Sequence, residues 1–397
     1  MAGSVIVTGA RTPIGKLSGA FAALSAVELG GFAITAALER AGVAPADVDY
    51  VIMGQVLDAG AGQVPSRQAA ARAGIPLTTP ATGVNKVCLS GLNAIYQADL
   101  MIANGDADIV VAGGMESMTS APYLVPGARA GFRLGDTTLV DSLMRDGLED
   151  SRSHESMGLD TEHYLPKFPA VTRQRQDAFA ALSNERAARA TKDGLFATEI
   201  VSVDIPQRRS DPIVVDTDEG IRPGTTSESL GKLRPAFDPD GSITAGNASQ
   251  ISDGASAVVV MSRAAAERHG VAPLGEIISY GMVAGPDTCL LNQQSRATTR
   301  ALDKVGLKRG DVDLFEFNEA FAAVALGSMD ELGLSSDVVN VNGGAIALGH
   351  PIGMSGNRLA LTLLSELRRR DGGVGVAALC GGAGQGDALV VRSLARS

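Results

Sequence analysis

Short apolar runs punctuate the chain: Ser4-Val5-Ile6-Val7, Tyr50-Val51-Ile52-Met53, Ile109-Val110-Val111, Ala257-Val258-Val259-Val260 and Val376-Ala377-Ala378-Leu379. Runs of this length without polar interruption read as strands covered on both faces. Between them the apolar positions recur at helical spacing. Leu92, Ile95, Tyr96, Leu100 and Met101 fall on overlapping faces, which predicts a helix over 92–102. Strands alternating with helices predict βα units, an α/β fold and mostly parallel mixed sheets.

The pattern is written twice. Residues 36–49 read AALERAGVAPADVD and residues 300–313 read RALDKVGLKRGDVD, and each stretch runs into a strand. Ser90-Gly91 opens a helical stretch followed by a strand and Gly113-Gly114. Ser355-Gly356 opens another, followed by a strand and Gly381-Gly382. Order and spacing agree, so the chain reads as a duplication. The N-terminal half is 1–119 plus 248–270, and the C-terminal half is 271–397. The segment 120–247 has no counterpart and reads as an inserted loop domain. In such folds ligands bind beyond the carboxyl ends of strands.

Composition narrows the classes. The formal charge of −10 argues against nucleic-acid binding, which needs clustered basic residues. No apolar stretch is long enough to span a membrane, and no signal-peptide pattern opens the chain. The terminal Ala-Arg-Ser matches no targeting address. The cysteines Cys88, Cys289 and Cys380 are far apart. They suggest neither a disulfide framework nor a zinc site, and fit a reducing, cytoplasmic setting.

Two of these cysteines have settings that suit chemistry. Cys88 precedes the predicted helix, where the helix dipole favours a thiolate and is expected to lower the thiol pKa. Cys380 ends a strand and precedes Gly381-Gly382, a turn that presents backbone N–H groups. The bland alternative for each is a small buried hydrophobe, and Cys289 is read that way. His350 lies in the glycine-rich loop NVNGGAIALGHPIG, which the duplication sets opposite the Cys88 loop. His154, His163 and His269 read as surface residues. Asn318 follows a strand, where its amide can orient a water or a carbonyl; the alternative role is N-cap of a helix starting at Glu319. The turn Thr8 to Gly15 resembles a dinucleotide-binding turn but lacks its glycines.

The motifs VNKVCLSGLNAI, VVAGGMESM, LRPAF, TAGNAS, SDGASA, NEAFAA, NVNGGAIALGHPIG and CGG together resemble the thiolases, in order and spacing, from about residue 4 to 393. Within that family the chain is most similar to bacterial acetyl-CoA acetyltransferases. The resemblance implies duplicated halves with an inserted loop domain, and acyl transfer between coenzyme A thioesters. It implies Cys88 as nucleophile, His350 as its base and Cys380 as the acid/base for the α-proton. Asn318, through a water, and His350 would face one thioester oxygen; the backbone N–H groups of Cys88 and Gly382 would face the other. It implies coenzyme A contacts at Arg222, Ser229, Leu230, Phe237, Ala245, Ser249, Leu148, Met157, Ala320 and Phe321. Leu148, Met157 and Leu290 are expected near the acyl end. The implied partners are acetyl-CoA, acetoacetyl-CoA and CoA, with no metal or further cofactor, in a homotetramer or dimer. Three stretches depart from the family pattern: Ser156 before Met157, Leu290 to Gln294, and the run after Cys380. The alternatives are a degradative 3-ketoacyl-CoA thiolase of broader chain length and a non-catalytic acyl-CoA-binding relative, which would be expected to have lost Cys88, His350 or Cys380.

Overall fold

A computed structural model describes residues 4–207 and 211–393; the C-terminal Ala-Arg-Ser lies outside the described residues. The N-terminal half contributes β1 (Ser4–Arg11), α1 (Ala26–Ala41), β2 (Tyr50–Gly54), α2 (Ser90–Asn104), β3 (Ile109–Ser117) and β4 (Ser252–Ser262). The C-terminal half contributes β5 (Gly275–Ala284), α3 (Gln293–Asp303), β6 (Leu314–Phe317), α4 (Ser355–Arg369), β7 (Gly373–Gly381) and β8 (Gln385–Ser393). The strands lie in the order β6-β7-β8-β5-β1-β4-β3-β2, with Ala81–Val84 at the β2 edge. Reading outward from the β1/β5 contact, each half shows the same order: first strand, last, third, second.

The α/β architecture follows the alternation of strands and helices, but parallel pairing is confined to the outer strands. The pairs β2/β3, β2 with Ala81–Val84, and β6/β7 are parallel. The pairs β1/β4, β3/β4, β1/β5, β5/β8 and β7/β8 are antiparallel. The prevalence of parallel pairs expected from the sequence therefore does not extend to the centre of the sheet. The reason is connectivity. A tight turn at Gly382–Gly384 joins β7 to β8 and forces them antiparallel. In the other half the insertion returns the chain to the end of the sheet where β3 finished, so β4 runs back along β3.

Alternate residues of the strands feed different layers. Val5, Val111 and Val259 pack with Leu29 and Ile34 of α1 on one outer face. Val376, Ala378 and Val390 pack with Ala297 and Ala301 of α3 on the other. Ile6, Val110, Leu379 and Leu389 face a middle layer made by α2 and α4. Helices apolar around most of their circumference suit such a layer. Both middle helices open with Ser-Gly because their N-termini meet. A Cβ on Gly356 would lie 2.5 Å from the Leu92 backbone nitrogen, and one on Gly91 would lie 2.8 Å from the Gly353 carbonyl oxygen. The duplicated Ser-Gly thus brings the two preceding loops, one holding Cys88 and one holding His350, to a single place.

Candidate active site

Cys88 stands between the edge strand Ala81–Val84 and α2, in a turn fixed by its neighbours. The Val87 N–H donates to Asn85 Oδ1 (3.1 Å), the Lys86 N–H to Ser90 Oγ (2.9 Å), and Ser90 Oγ to the Val87 carbonyl (2.6 Å). Lys86 Nζ reaches both oxygens of Asp387 at 2.8 Å, tying the turn to β8. Val87 takes a left-handed φ of 51°, a costly conformation for a β-branched residue and one that occurs where a site holds its backbone tightly.

The Cys380 turn packs on this loop. A Cβ on Gly381 would lie 2.6 Å from Leu89 Cγ, and one on Gly382 would lie 3.5 Å from Val87 Cγ1 and 3.7 Å from Met157 Sδ. Cys380 to Gly382 therefore lies across from Val87 to Leu89. The backbone N–H groups of Cys88 and Gly382 act on the Cys88 sulfur and favour its thiolate. They do not prevail. Burial, with the charge of Glu116, pushes the thiol up to about 12. The lowered pKa expected from the helix N-terminus is thus overturned, because the desolvation of a buried anion outweighs the dipole. Burial, then the neighbouring Cys88, also pushes the Cys380 thiol well up.

His350 is buried and its ring has a partner on each side. Nδ1 lies 2.6 Å from Ser355 Oγ, and Nε2 lies 3.3 Å from Asn318 Nδ2. Burial, with the positive charge of Arg358, lowers its pKa to about 3, so the imidazole is neutral at physiological pH. Asn318 leaves the end of β6 beside Cys380 at the end of β7, a parallel pair in which Phe317 faces Ala378. The Asn318 N–H donates to the Ala378 carbonyl (2.9 Å), and the Asn318 carbonyl accepts from Gln294 Nε2 (2.7 Å). Asn318 is not an N-cap: the helix after it is Ala322–Leu332, with Phe321 in the cap position. Its Oδ1 is buried and has no hydrogen-bond partner among the described residues.

An apolar cavity of ≈ 360 Å³ opens onto His350. That is within the range of about 300–1,000 Å³ usual for small-molecule sites. Leu148, Met157, Phe237, Ala245, Ser249 and Phe321 line it together with Met118, Met144, Ser156, Ile251 and Ile352. Phe237 and Phe321 meet edge to face, with ring centroids 5.9 Å apart. Ser156 accepts a hydrogen bond from the Leu159 N–H and so caps the helix Met157–Tyr164 that carries Met157. Three larger hollows, ≈ 680, ≈ 500 and ≈ 380 Å³, hold neither thiol nor imidazole, and the last borders the site at Val87, Met157 and Gly382.

Of the ten residues expected to contact coenzyme A, six line the cavity. Ala320 stands next to it, its carbonyl accepting from the Ser249 N–H at 2.9 Å. Leu230 is buried beneath Gly246, Ser229 is exposed within the turn of Thr226, and the Arg222 N–H is bonded to Asn184; none of the three lines the cavity. Leu290 is also absent from the wall. It is 3% exposed, packed in the core with Cys289, Phe317 and Cys380. An apolar side chain near a strand end satisfies a core as readily as a pocket, and here the core holds it. Cys289 keeps its bland reading, and His154, His163 and His269 lie exposed. Sequence reasoning missed Ser355 and Glu116. Ser355 stood in the duplicated Ser-Gly, and Glu116 in VVAGGMESM.

A thiol, a neutral imidazole, a second thiol and paired backbone donors stand near an apolar cavity, an arrangement that can carry acyl transfer. The comparisons agree. Residues 4–264 match the family model for the thiolase N-terminal domain, and residues 271–393 match that for the thiolase C-terminal domain. The chain is 56% identical over 390 residues to a probable acetyl-CoA acetyltransferase of Mycolicibacterium smegmatis, covering 98% of this chain and 100% of that protein. It is 51% identical over 388 residues to an acetyl-CoA acetyltransferase of Cupriavidus necator, with 98% of each covered, and 51% identical over 386 residues to one of Chromobacterium violaceum, covering 97% and 98%. The chain belongs to the thiolase family, and it is an acyltransferase.

Proposed function

We propose that the chain is an acetyl-CoA C-acetyltransferase that condenses two acetyl-CoA reversibly to acetoacetyl-CoA and CoA, by a ping-pong route through acetyl-Cys88. The observation that carries the reading is the packing of Gly381-Gly382 on Val87 and Leu89, which aims two backbone N–H groups at the Cys88 sulfur. In the first half-reaction His350 Nε2 takes the Cys88 proton as sulfur attacks the thioester carbonyl. The oxyanion faces the N–H groups of Cys88 and Gly382, a type of donor whose loss costs about 10²–10³ in rate. Cys380 gives its proton to the departing CoA sulfur. In the second, the Cys380 thiolate takes the α-proton of another acetyl-CoA; burial, which makes that thiol a weak acid, makes its thiolate a strong base. The carbanion attacks acetyl-Cys88, and the released sulfur recovers its proton from His350. The enolate oxygen would face His350 and a water on the unpartnered Asn318 Oδ1. No metal or further cofactor takes part in this scheme.

Acetyl-CoA, acetoacetyl-CoA and CoA are the proposed partners, supported by the names of the relatives. Leu148 and Met157, which share the cavity wall with His350, favour a short acyl group. The flexible side chains of Met118, Met144 and Met157 support the second reading, a 3-ketoacyl-CoA thiolase of broader chain length. Thiolysis kcat/KM across 3-ketoacyl-CoAs decides between them: acetoacetyl-CoA is preferred under the first reading, and equal efficiency on six carbons or more overturns it. A homotetramer or dimer is the proposed assembly, checked by light scattering. Its support is the exposed apolar cluster around the hairpin of Tyr123–Leu124 and Val140–Asp141, where Tyr123, Phe132, Leu134 and Leu139 face outward. Among the described residues no helix is long and apolar enough to cross a membrane. Three free thiols support a cytoplasmic setting.

A further inference from the structure

We propose that Glu116 is a positioning residue that sets the His350 loop in register with the Cys88 loop. The proposal deepens the acyl-transfer reading and rests on it. On β3, Val110, Ala112, Gly114 and Glu116 share the face toward the middle helices. This face receives the end of the His350 loop. The Gly353 carbonyl sits where Cβ atoms on Gly54 and Gly91 would lie only 2.8 Å away, and it lies against Gly114 as well. The Gly353 N–H, on the other side of the same residue, donates to Glu116 Oε2 (3.0 Å). Glu116 takes two more backbone donors from the loop after β2: the Val56 N–H on Oε2 (3.0 Å) and the Leu57 N–H on Oε1 (3.1 Å).

The links then run without a break. The Val56 carbonyl accepts from Asn85 Nδ2 at 3.4 Å, and Asn85 Oδ1 holds the Val87 N–H, one residue before Cys88. Gly353 is three residues after His350. One carboxylate thus joins the turn that aims the nucleophile to the loop that carries its base, and these come from different halves of the chain. Misplacing reacting groups by about 1 Å can cost on the order of 10²-fold in rate.

The chemistry requires a carboxylate here. Glu116 is fully buried, and no basic side chain pairs with it among the described residues. Three N–H donors compensate its charge in part, yet burial and the neighbouring charge of Asp58 hold its pKa up, at about 7. The titratable groups facing it are Asp58 on the loop after β2 and Cys88 ahead of α2. A glutamine keeps one acceptor oxygen and turns an NH₂ toward N–H groups. An aspartate keeps the charge but is one methylene too short to reach all three donors.

The test compares wild type, Glu116→Gln and Glu116→Asp as full-length enzymes, with Cys88 acetylation by acetyl-CoA followed by rapid quench and mass spectrometry from about pH 5.5 to 8.5, a window centred on the neutral range where Glu116 titrates. In wild type the acetylation rate should fall as pH drops below about 7, as Glu116 takes up its proton and gives up acceptor capacity. Glu116→Gln should be folded by circular dichroism and at least about tenfold slower in kcat, with KM for CoA within about threefold, and without the acid-side fall. Glu116→Asp should keep an acid-side fall at a reduced rate. Acetylation of Glu116→Gln at the wild-type rate, or with the wild-type acid limb, overturns the proposal. So does failure of both variants to fold, since Glu116 would then serve the fold alone. If wild type itself does not acetylate Cys88, it is the ping-pong reading that has failed.

Discussion

Ser355 Oγ lies 2.6 Å from His350 Nδ1 and 2.9 Å from the Pro351 carbonyl. A hydroxyl has one proton, and the carbonyl can only accept, so Ser355 donates to Pro351 and accepts from His350. That assigns the imidazole proton to Nδ1 and leaves Nε2 the acceptor, held at 3.3 Å from Asn318 Nδ2 and able to take the Cys88 proton by giving up that bond. Serine at the start of α4 therefore serves the base as well as the helix.

Replacing that hydroxyl should cost catalysis without costing the fold. Ser355→Ala is expected to lower thiolysis kcat by about 10²-fold, the lower end of what a positioned general base contributes, with KM little changed. Alanine suits the first turn of a helix, so the melting temperature should stay close to wild type. Steady-state kinetics and circular dichroism check both parts.

Adjacent glycines in the Cys380 turn should respond differently. A Cβ on Gly381 meets Leu89 Cγ at 2.6 Å, a contact that must displace the core, whereas one on Gly382 meets Val87 and Met157 at ordinary distances of 3.5 and 3.7 Å. Gly381→Ala is expected to destabilise the protein by about 1–3 kcal/mol through overpacking. Gly382→Ala should keep its stability and lose activity, because the added methyl stands at the mouth between Val87 and Met157. Thermal unfolding read beside kcat distinguishes the two.

His350 and Cys88 make their own contributions to the pH behaviour, separate from that of Glu116. His350, with its pKa lowered to about 3, stays neutral down to pH 5, so its protonation should cause no loss of activity between pH 8 and pH 6. Its ordinary value is 6.5, so the unfolded chain binds that proton more readily; the stability tied to the neutral ring is full above 6.5 and is lost as pH falls toward 3. Cys88, raised to about 12, should show iodoacetamide alkylation that climbs through pH 10 without a plateau. A plateau near 8.5, the ordinary thiol range, would show that the thiolate is already favoured in the resting enzyme.

Much of the site was legible in the sequence because its chemistry sits in unusual local settings. Cys88 before an apolar helix, Cys380 before paired glycines and His350 among glycines each stood out, and the duplication set the His350 loop opposite the Cys88 loop. What stayed hidden depends on contacts made in three dimensions. Ser355 and Glu116 look like a helix start and a strand residue until the loops they hold are in place. The Cys88 pKa went the other way because a helix N-terminus can be seen in a sequence, whereas the burial around the sulfur cannot. The alternative role for Asn318, a helix cap, fails because the chain runs on to Phe321 before the helix begins. Parallel pairing was read from strand–helix alternation, and it holds only where a helix intervenes between paired strands.

The most direct measurement is peptide mass spectrometry of the full-length enzyme after incubation with acetyl-CoA alone and an acid quench. The expected result is one acetyl group per chain, on the peptide containing Cys88, removed when free CoA is added before the quench. An acetyl group on Cys380 or Cys289 with Cys88 unmodified, or no acetylation in an enzyme that still forms acetoacetyl-CoA, would contradict the account.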